Sequence, residues 1–289
     1  MNIGTAVASR RSACCDPDMS VGHSVSQLPS ALGNRGLRAR LAVTPRIGVF
    51  LDYDGTLTPI VARPELALPT PATRSVLADL AEVCVVGIIS GRDLDDVRAI
   101  VGSDGLWYAG SHGFDVYAPD GSRTERDEGR ELLDVLREAG DALDQAVRDM
   151  PEAWVERKRF AIAVHFRQVD DARIPDIEAA VDRVVAEHSD LRKTGGKRVF
   201  EVRPDVDWDK GKALWSLFER AGLHPATSFP IYIGDDETDE DAFTAIEDTG
   251  IGIVVGDEDR ITAAQFRLAD SDEVRVFLAD LAGRLSRGA

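Results

Sequence analysis

Two aspartates, Asp52 and Asp54, stand one residue apart where the apolar run Ile47–Leu51 ends, and Gly55-Thr56 follows them. Paired carboxylates suit a reaction in which one acid attacks and the other moves a proton. Three further groups have residue types that could serve the same chemistry. Ser90-Gly91 closes a second apolar run, where the hydroxyl and the amides of the next turn could hold phosphoryl oxygens at a helix start. Lys210 stands at the start of a helical pattern, where its charge opposes the helix dipole, and Lys212 is close enough to compete for its role. Asp235 opens the run Asp235-Asp236-Glu237-Thr238-Asp239-Glu240-Asp241, again directly after an apolar stretch. Two acids would repel an anionic substrate, so the site calls for a hard cation, and two acidic loops side by side could supply its oxygens. Taken singly, each group also has an ordinary reading as a turn, a solvated lysine or an acid-rich helix start.

These groups need a scaffold that brings strand ends together. Ile47–Leu51, Val83–Ile89 and Leu106–Gly110 read as buried strands, with helices at Pro71–Glu82 and from Asp93, a candidate N-cap, to Val101. This rhythm predicts an α/β fold with a doubly wound, mostly parallel, Rossmann-like sheet, which binds ligands at the carboxyl ends of its strands. The pattern changes over residues 114–203. Leu132, Leu136, Ala139, Leu143 and Val147 form one helical stripe, and Ile174, Ile177, Val181 and Val184 form another. Trp154–Lys158 and Phe160–Arg167 read as a hairpin, with another strand at Lys197–Val202. The parallel pattern resumes with a helix over Asp209–Ala221, strands at Pro230–Gly234 and Ile251–Val255, and a closing helix over Asp272–Arg287. The expected organisation is a core of residues 45–113 and 204–289 with an inserted α+β cap over 114–203. Residues 1–44 show no periodicity and read as a disordered extension.

The chain has 289 residues and a net charge of -17, with a sequence pI of about 4.7. That balance argues against nucleic acid or an anionic membrane as a partner. No apolar run approaches the roughly 18 residues of a membrane span. Arg10-Arg11 and Ser12-Ala13-Cys14 lack the apolar core that a twin-arginine or lipoprotein signal requires. The cysteines, Cys14, Cys15 and Cys84, form no disulfide framework or zinc pattern, which fits a reducing cytoplasm.

Taken in order, Asp52/Asp54, Ser90, Lys210 and Gly234-Asp235-Asp236-x-x-Asp239 resemble the four motifs of the haloacid dehalogenase superfamily. The resemblance implies that Asp52 is a nucleophile forming an aspartyl-phosphate and that Asp54 is the general acid and base. It implies Mg²⁺ on Asp52, the Asp54 carbonyl and Asp235, with Asp236 and Asp239 beside them. Ser90, Gly91 and Lys210 would bind the phosphoryl group, and Asp239 would orient Lys210 or a metal-bound water.

Period two divides the sheet of the inserted module into an apolar face and a polar one, and the polar face is either an ordinary solvated face or one that closes over the aspartates. Phe160, Ile162, Val164 and Phe166 share one face with an apolar character, while Glu156, Lys158, His165, Arg167 and Glu201 fall on the other. Mixed acids and bases of this kind suit sugar hydroxyls. From about Ile47 to Arg284 the chain resembles trehalose-6-phosphate phosphatases. The segments that carry this are Trp154-Val155-Glu156-Arg157-Lys158, Phe200-Glu201-Val202-Arg203-Pro204, Gly110-Ser111-His112-Gly113 and the acidic run from Gly234. The resemblance implies that Glu156, Lys158 and Glu201 contact the disaccharide and that Arg92 and His112 lie near its phosphate-bearing ring. The chain departs from the family in having Asp209 before the motif lysine, and Phe114 after the His-Gly pair. The expected activity is cytoplasmic, Mg²⁺-dependent hydrolysis of trehalose 6-phosphate, with association to a trehalose-6-phosphate synthase as a further expectation. The alternatives are phosphatase action on another sugar phosphate such as sucrose 6-phosphate, or a silent sugar-phosphate-binding regulatory subunit.

Overall fold

The computed structural model describes residues 22–288 apart from positions 45, 62 and 197; Cys14, Cys15 and Arg10-Arg11 lie outside the described residues. The chain begins with β1 (His23–Ser24), α1 (Arg35–Ala42), β2 (Ile47–Leu51), α2 (Pro71–Ala81), β3 (Val85–Ile89), α3 (Leu94–Val101) and β4 (Trp107–Gly110). It continues through β5 (Asp115–Tyr117), β6 (Arg123–Glu125), α4 (Asp127–Glu131), α5 (Leu133–Val147), β7 (Trp154–Arg157), β8 (Ile162–His165), α6 (Ile174–Ala186), β9 (Leu191–Gly196) and β10 (Val199–Pro204). It closes with α7 (Lys210–Arg220), β11 (Phe229–Gly234), α8 (Glu240–Ala245), β12 (Ile251–Val255), β13 (Ile261–Thr262), β14 (Phe266–Leu268) and α9 (Ser271–Gly288).

Eight strands form the central sheet in the order β14-β12-β11-β2-β3-β4-β5-β6. It is parallel from β14 to β4, and only the β4–β5 and β5–β6 pairings are antiparallel. β2 lies between β11 and β3, so the strand order turns at its end, the place where such sheets bind ligands. All of β2 is buried. Alternation sends Val49 and Leu51 into the layer with α2, α3 and α9, and Phe50 into the opposite layer with α7 and α8. Each such side chain contributes roughly 1.5–3 kcal/mol through burial, which fixes the register of the strand that carries the aspartates.

A second sheet, in the order β7-β8-β10-β9, is wholly antiparallel. Ile162, Val164, Phe166 and Val202 face Leu136, Leu143, Ile177 and Val181 of α5 and α6. One face of this sheet is thus covered by helices, and the other looks toward the central sheet.

Four expectations change. Residues 22–44 are not a disordered extension: β1 pairs with β13, and α1 buries Leu37 and Leu41 in the central core. Asn34 starts α1 by accepting from the Leu37 amide at 3.0 Å. The boundary at residue 113 moves, because β5 and β6 extend the central sheet. β9, absent from the sequence reading, pairs along β10 from Leu191 to Gly196. Asp93 precedes α3 but makes no side-chain cap; Oδ1 accepts from the Arg159 amide at 2.8 Å and from the Ser111 hydroxyl at 3.2 Å.

Candidate active site

The end of β2 sets the geometry. The Asp52 amide donates to the Ile233 carbonyl at 2.9 Å, so Asp52 still pairs with β11 while its side chain clears the sheet. β11 ends at Gly234, directly before Asp235, which places that acid next to Asp52. The turn between Tyr53 and Thr58 closes through Gly55 N–H to Thr58 O at 2.9 Å. Gly55 has φ +87, and a Cβ there would stand 2.1 Å from Asp235 Oδ2. Glycine is required on both counts: the left-handed backbone and the acid packed against it.

Lys210 is 3% exposed and opens α7. Its Nζ donates to Asp52 Oδ1 at 2.8 Å and to Asp239 Oδ1 at 2.6 Å. Asp239 is fully buried, and its Oδ1 also accepts from the Tyr232 hydroxyl at 2.6 Å. Its Oδ2 accepts from the amides of Asp235 and Asp236, both at 2.9 Å. Asp239 is therefore a rigid post for the lysine and for the acidic loop. Burial opposes its charged form, but Lys210 and these bonds outweigh burial and hold its pKa below the ordinary aspartate value. Lys210 keeps its charge in spite of burial because Asp239 and Asp52 face it. Lys212 is half exposed and donates to Asp207, so it takes no part in the site. Asp209 caps α7 by accepting from the Lys212 amide at 2.8 Å; aspartate and asparagine cap almost equally well, so this departure from the family pattern leaves the helix start intact.

Asp52, Asp235 and Asp239 bring carboxylate oxygens within 4.8 Å of one another. Burial first, and then the charges of Asp239 and Asp235, raise the Asp52 pKa well above the usual value even with Lys210 beside it. An all-oxygen donor set with more acids than bases fits a hard divalent cation, which would relieve that excess.

Ser90 follows β3 and is 1% exposed. Its carbonyl accepts from the His112 amide at 2.8 Å, and the Arg92 carbonyl accepts from the Ser111 amide at 2.7 Å. Ser111 and His112 both adopt left-handed backbone, at φ 48 and φ 55. Non-glycine residues there store about 1–3 kcal/mol each, and the surroundings must impose it. Trp208 helps, since its indole N–H donates to His112 O at 3.0 Å. Gly91 is needed here too, because a Cβ would meet His112 Nε2 at 2.9 Å.

The second sheet completes the enclosure. Lys158 Nζ donates to Gly91 O at 2.9 Å and to Glu201 Oε1 at 2.8 Å, and His112 Nε2 donates to Glu201 Oε2 at 2.7 Å. Burial opposes ionisation of Glu201, yet Lys158 and its bonds hold its pKa well below the usual glutamate value. Glu156 accepts from His165 Nε2 at 2.8 Å, and the His165 ring stacks on Trp154 with centroids 3.9 Å apart. Arg167 donates to the Val61 carbonyl of the loop after β2. Phe114 stacks on Phe160 in the core, while Asp115 pairs with Arg123.

Together these residues surround one cavity of about 210 Å³. Of the site residues expected from the sequence, all line it except Asp239, which lies beneath and bonds Lys210, while the competing Lys212 lies away from it. Asp54 lines it with a side chain turned to Arg92 rather than to the acid cluster. Sequence reasoning missed Tyr232 and the Gly195-Gly196 hairpin tip that also borders the cavity, and it quoted Trp154 without naming it a site residue. Tyr232 sits inside an apolar strand, where only alternation toward the side of Lys210 could have revealed it. The hairpin was missed along with β9.

A family model described as trehalose-phosphatase matches residues 50–272, which includes both sheets and all of these residues. The chain belongs to the trehalose-phosphatase family. A trehalose-phosphate phosphatase of Mycobacterium marinum is 44% identical over 266 residues, covering 91% of this chain and 68% of that protein. An uncharacterized glycosyl hydrolase of Mycobacterium tuberculosis is 48% identical over 265 residues, covering 90% of this chain. The chain spans only 20% of that longer relative. The C-terminal domain of Candida albicans trehalose-6-phosphate phosphatase shares the fold, with a TM-score of 0.77 at 24% identity over 89% of this chain and 99% of that domain. This trehalose-phosphatase family chain has no helix among its described residues long and apolar enough to cross a membrane.

Proposed function

We propose that the protein hydrolyses trehalose 6-phosphate to trehalose and phosphate, with Mg²⁺ as the cation and an aspartyl-phosphate on Asp52. The observation that carries this is the enclosure of Asp52 and Lys210 in the same cavity as Glu156, Lys158 and Glu201. The first pair suits phosphoryl transfer; the second set offers oriented donors and acceptors for sugar hydroxyls. Asp52 and Asp235, with the Asp54 carbonyl, would hold the cation, which supplies charge neutralisation at the phosphoryl oxygens. Lys210 and the Ser90-Gly91 turn take the remaining oxygens. An Asp52 oxygen attacks phosphorus as the bond to the sugar oxygen breaks, and Asp54 gives that oxygen its proton. A water oxygen then attacks phosphorus, Asp54 takes its proton, and the bond to Asp52 breaks. The contacts that join the second sheet to His112 and Gly91 would exclude bulk water during both steps.

The test is phosphate release with Mg²⁺ on trehalose 6-phosphate beside sucrose 6-phosphate, glucose 6-phosphate and an aryl phosphate. Preference for trehalose 6-phosphate is expected, with loss of release on chelation. Mg²⁺ should also raise the unfolding temperature of the protein as its concentration increases. Release from a different sugar phosphate alone would discard the substrate; a melting shift on sugar phosphate with no release from any substrate would favour a silent binding protein.

Glu201→Gln should raise KM for trehalose 6-phosphate by roughly tenfold, because a site built around a charged acceptor discriminates by a few kcal/mol when that charge is lost. The sign of its pH effect is also fixed. A glutamate with a depressed folded pKa stabilises above its unfolded value of 4.5 and loses this as pH falls through the folded value. The unfolding temperature should therefore depend less on pH below 4.5 in Glu201→Gln than in the wild type.

A further inference from the structure

Arg92 follows the Ser90-Gly91 turn, and the resemblance placed it near the phosphate-bearing sugar. Its guanidinium is committed elsewhere. Nε donates to Asp54 Oδ2 and Nη2 to Asp54 Oδ1, each at 2.8 Å, forming a two-point fork. Nη1 donates to Asp96 Oδ2 at 2.9 Å, and Nη2 also donates to the Pro64 carbonyl at 2.7 Å. Four of the five guanidinium N–H donors are thus in use. The residue is 6% exposed, and its charge lies over the Tyr53 ring, 5.1 Å from the centroid. Tyr53 is itself pinned by its hydroxyl, which donates to Ala67 O at 2.6 Å.

Asp54 is the opposite case. Its side chain is 46% exposed, and its carboxylate accepts hydrogen bonds only from Arg92 among the described residues. Without Arg92 the carboxylate would rotate freely at the cavity edge. A two-point fork fixes the carboxylate plane as well as its position, which a single ammonium donor does not do. Asp96 in α3 and Pro64 in the loop between β2 and α2 fix the guanidinium in turn, so the orientation traces back to a helix and a 3-10 turn.

We propose that Arg92 is the positioning residue of Asp54 and acts on the reaction through it, rather than as a sugar-binding residue. This rests on the reading of Asp54 as the group that protonates the leaving sugar oxygen and later deprotonates water. Proton transfer needs donor and acceptor atoms within hydrogen-bond reach, so a carboxylate with one orientation transfers more often than one with many. Arg92 gives and takes no proton in either step.

The experiment is a double-mutant cycle on trehalose 6-phosphate with separate readout of kcat and KM. Arg92→Lys keeps the charge and removes the fork; kcat should fall roughly 10²-fold, the low end of the contribution of general acid–base catalysis, with KM changed less than about threefold. In an Asp54→Asn background the same change should cost less than about threefold, since the route through Asp54 is already gone. Asp96→Asn loosens the guanidinium from an exposed position that folding tolerates; it should lower kcat by roughly threefold, again only when Asp54 is present. A rise in KM with kcat intact in Arg92→Lys would overturn the inference, as would equal losses in both backgrounds for either substitution. Wild-type protein that releases no phosphate from any sugar ester would instead overturn the reading of Asp54 on which it rests.

Discussion

Asp52→Asn should abolish phosphate release while leaving the protein folded and, in metal-free buffer, more resistant to heat. The loss in kcat should be roughly 10⁴-fold or more, the scale on which deletion of an essential nucleophile acts. The stability gain follows from linkage. Burial and the charges of Asp239 and Asp235 raise the folded pKa of Asp52 above its unfolded value of 3.8. Such a group favours the fold below the unfolded pKa, and that contribution is lost as pH rises through the folded pKa. At neutral pH the ionised carboxylate therefore opposes folding, and asparagine removes the opposition. Mg²⁺ should reverse the ranking, because the wild type gains binding free energy that the variant, with one acid fewer, cannot match. Thermal unfolding of both proteins with and without Mg²⁺, beside phosphate release, checks all of this. A variant that retains turnover sinks the nucleophile; a variant destabilised in metal-free buffer sinks the account of the acid cluster.

Lys210→Met is the other large effect. Methionine nearly matches lysine in volume, so packing is kept while the only cation bonded to Asp52 and Asp239 among the described residues is lost. Removing one partner of a buried ion pair costs about 3–5 kcal/mol. For a chain of this size that is a fall of roughly 10 °C in Tm. Turnover should fall about 10²–10³-fold, as when one donor to developing charge is deleted. Lys212→Met is the control. That ammonium pairs with Asp207 at the surface, where such pairs contribute about 0–1 kcal/mol, so both Tm and turnover should hold. Two lysines that sequence alone left in competition are thus separated by burial, and the two variants test the separation.

The legible part of this chain was whatever one short window could encode. An apolar run closing on paired acids placed β2 and Asp52, and period two put Glu156, Lys158, His165, Arg167 and Glu201 on one side of a sheet. These residues, named from such windows, are among those around the cavity. What was not legible depended on partners far away. α1 shows only two buried leucines, Leu37 and Leu41, and has meaning only once α9 lies beside it. β5 and β6 have three residues each, too few for a period. β9 carries Arg192, Lys193 and two glycines, a poor strand by propensity that is held by its pairing with β10. The Arg92–Asp54 fork joins residues 38 positions apart, which no single window shows; the resemblance placed the arginine only near the phosphate-bearing ring.

The strap formed by residues 22–44 packs on elements more than 200 positions further along the chain. The Ala31 amide donates to Arg267 O at 2.9 Å, the Arg267 amide to Pro29 O at 3.1 Å, and the Arg267 side chain to Leu28 O, 239 positions away. These bonds run along β14, the outermost strand of the central sheet, and shield an edge that would otherwise invite another chain. They also impose an order on synthesis. Residues 22–44 leave the ribosome before β14 and α9 and have no such surface to dock on until these have emerged, and contacts of such long range form late. The strap is thus made before the strand that it covers and has to wait for it.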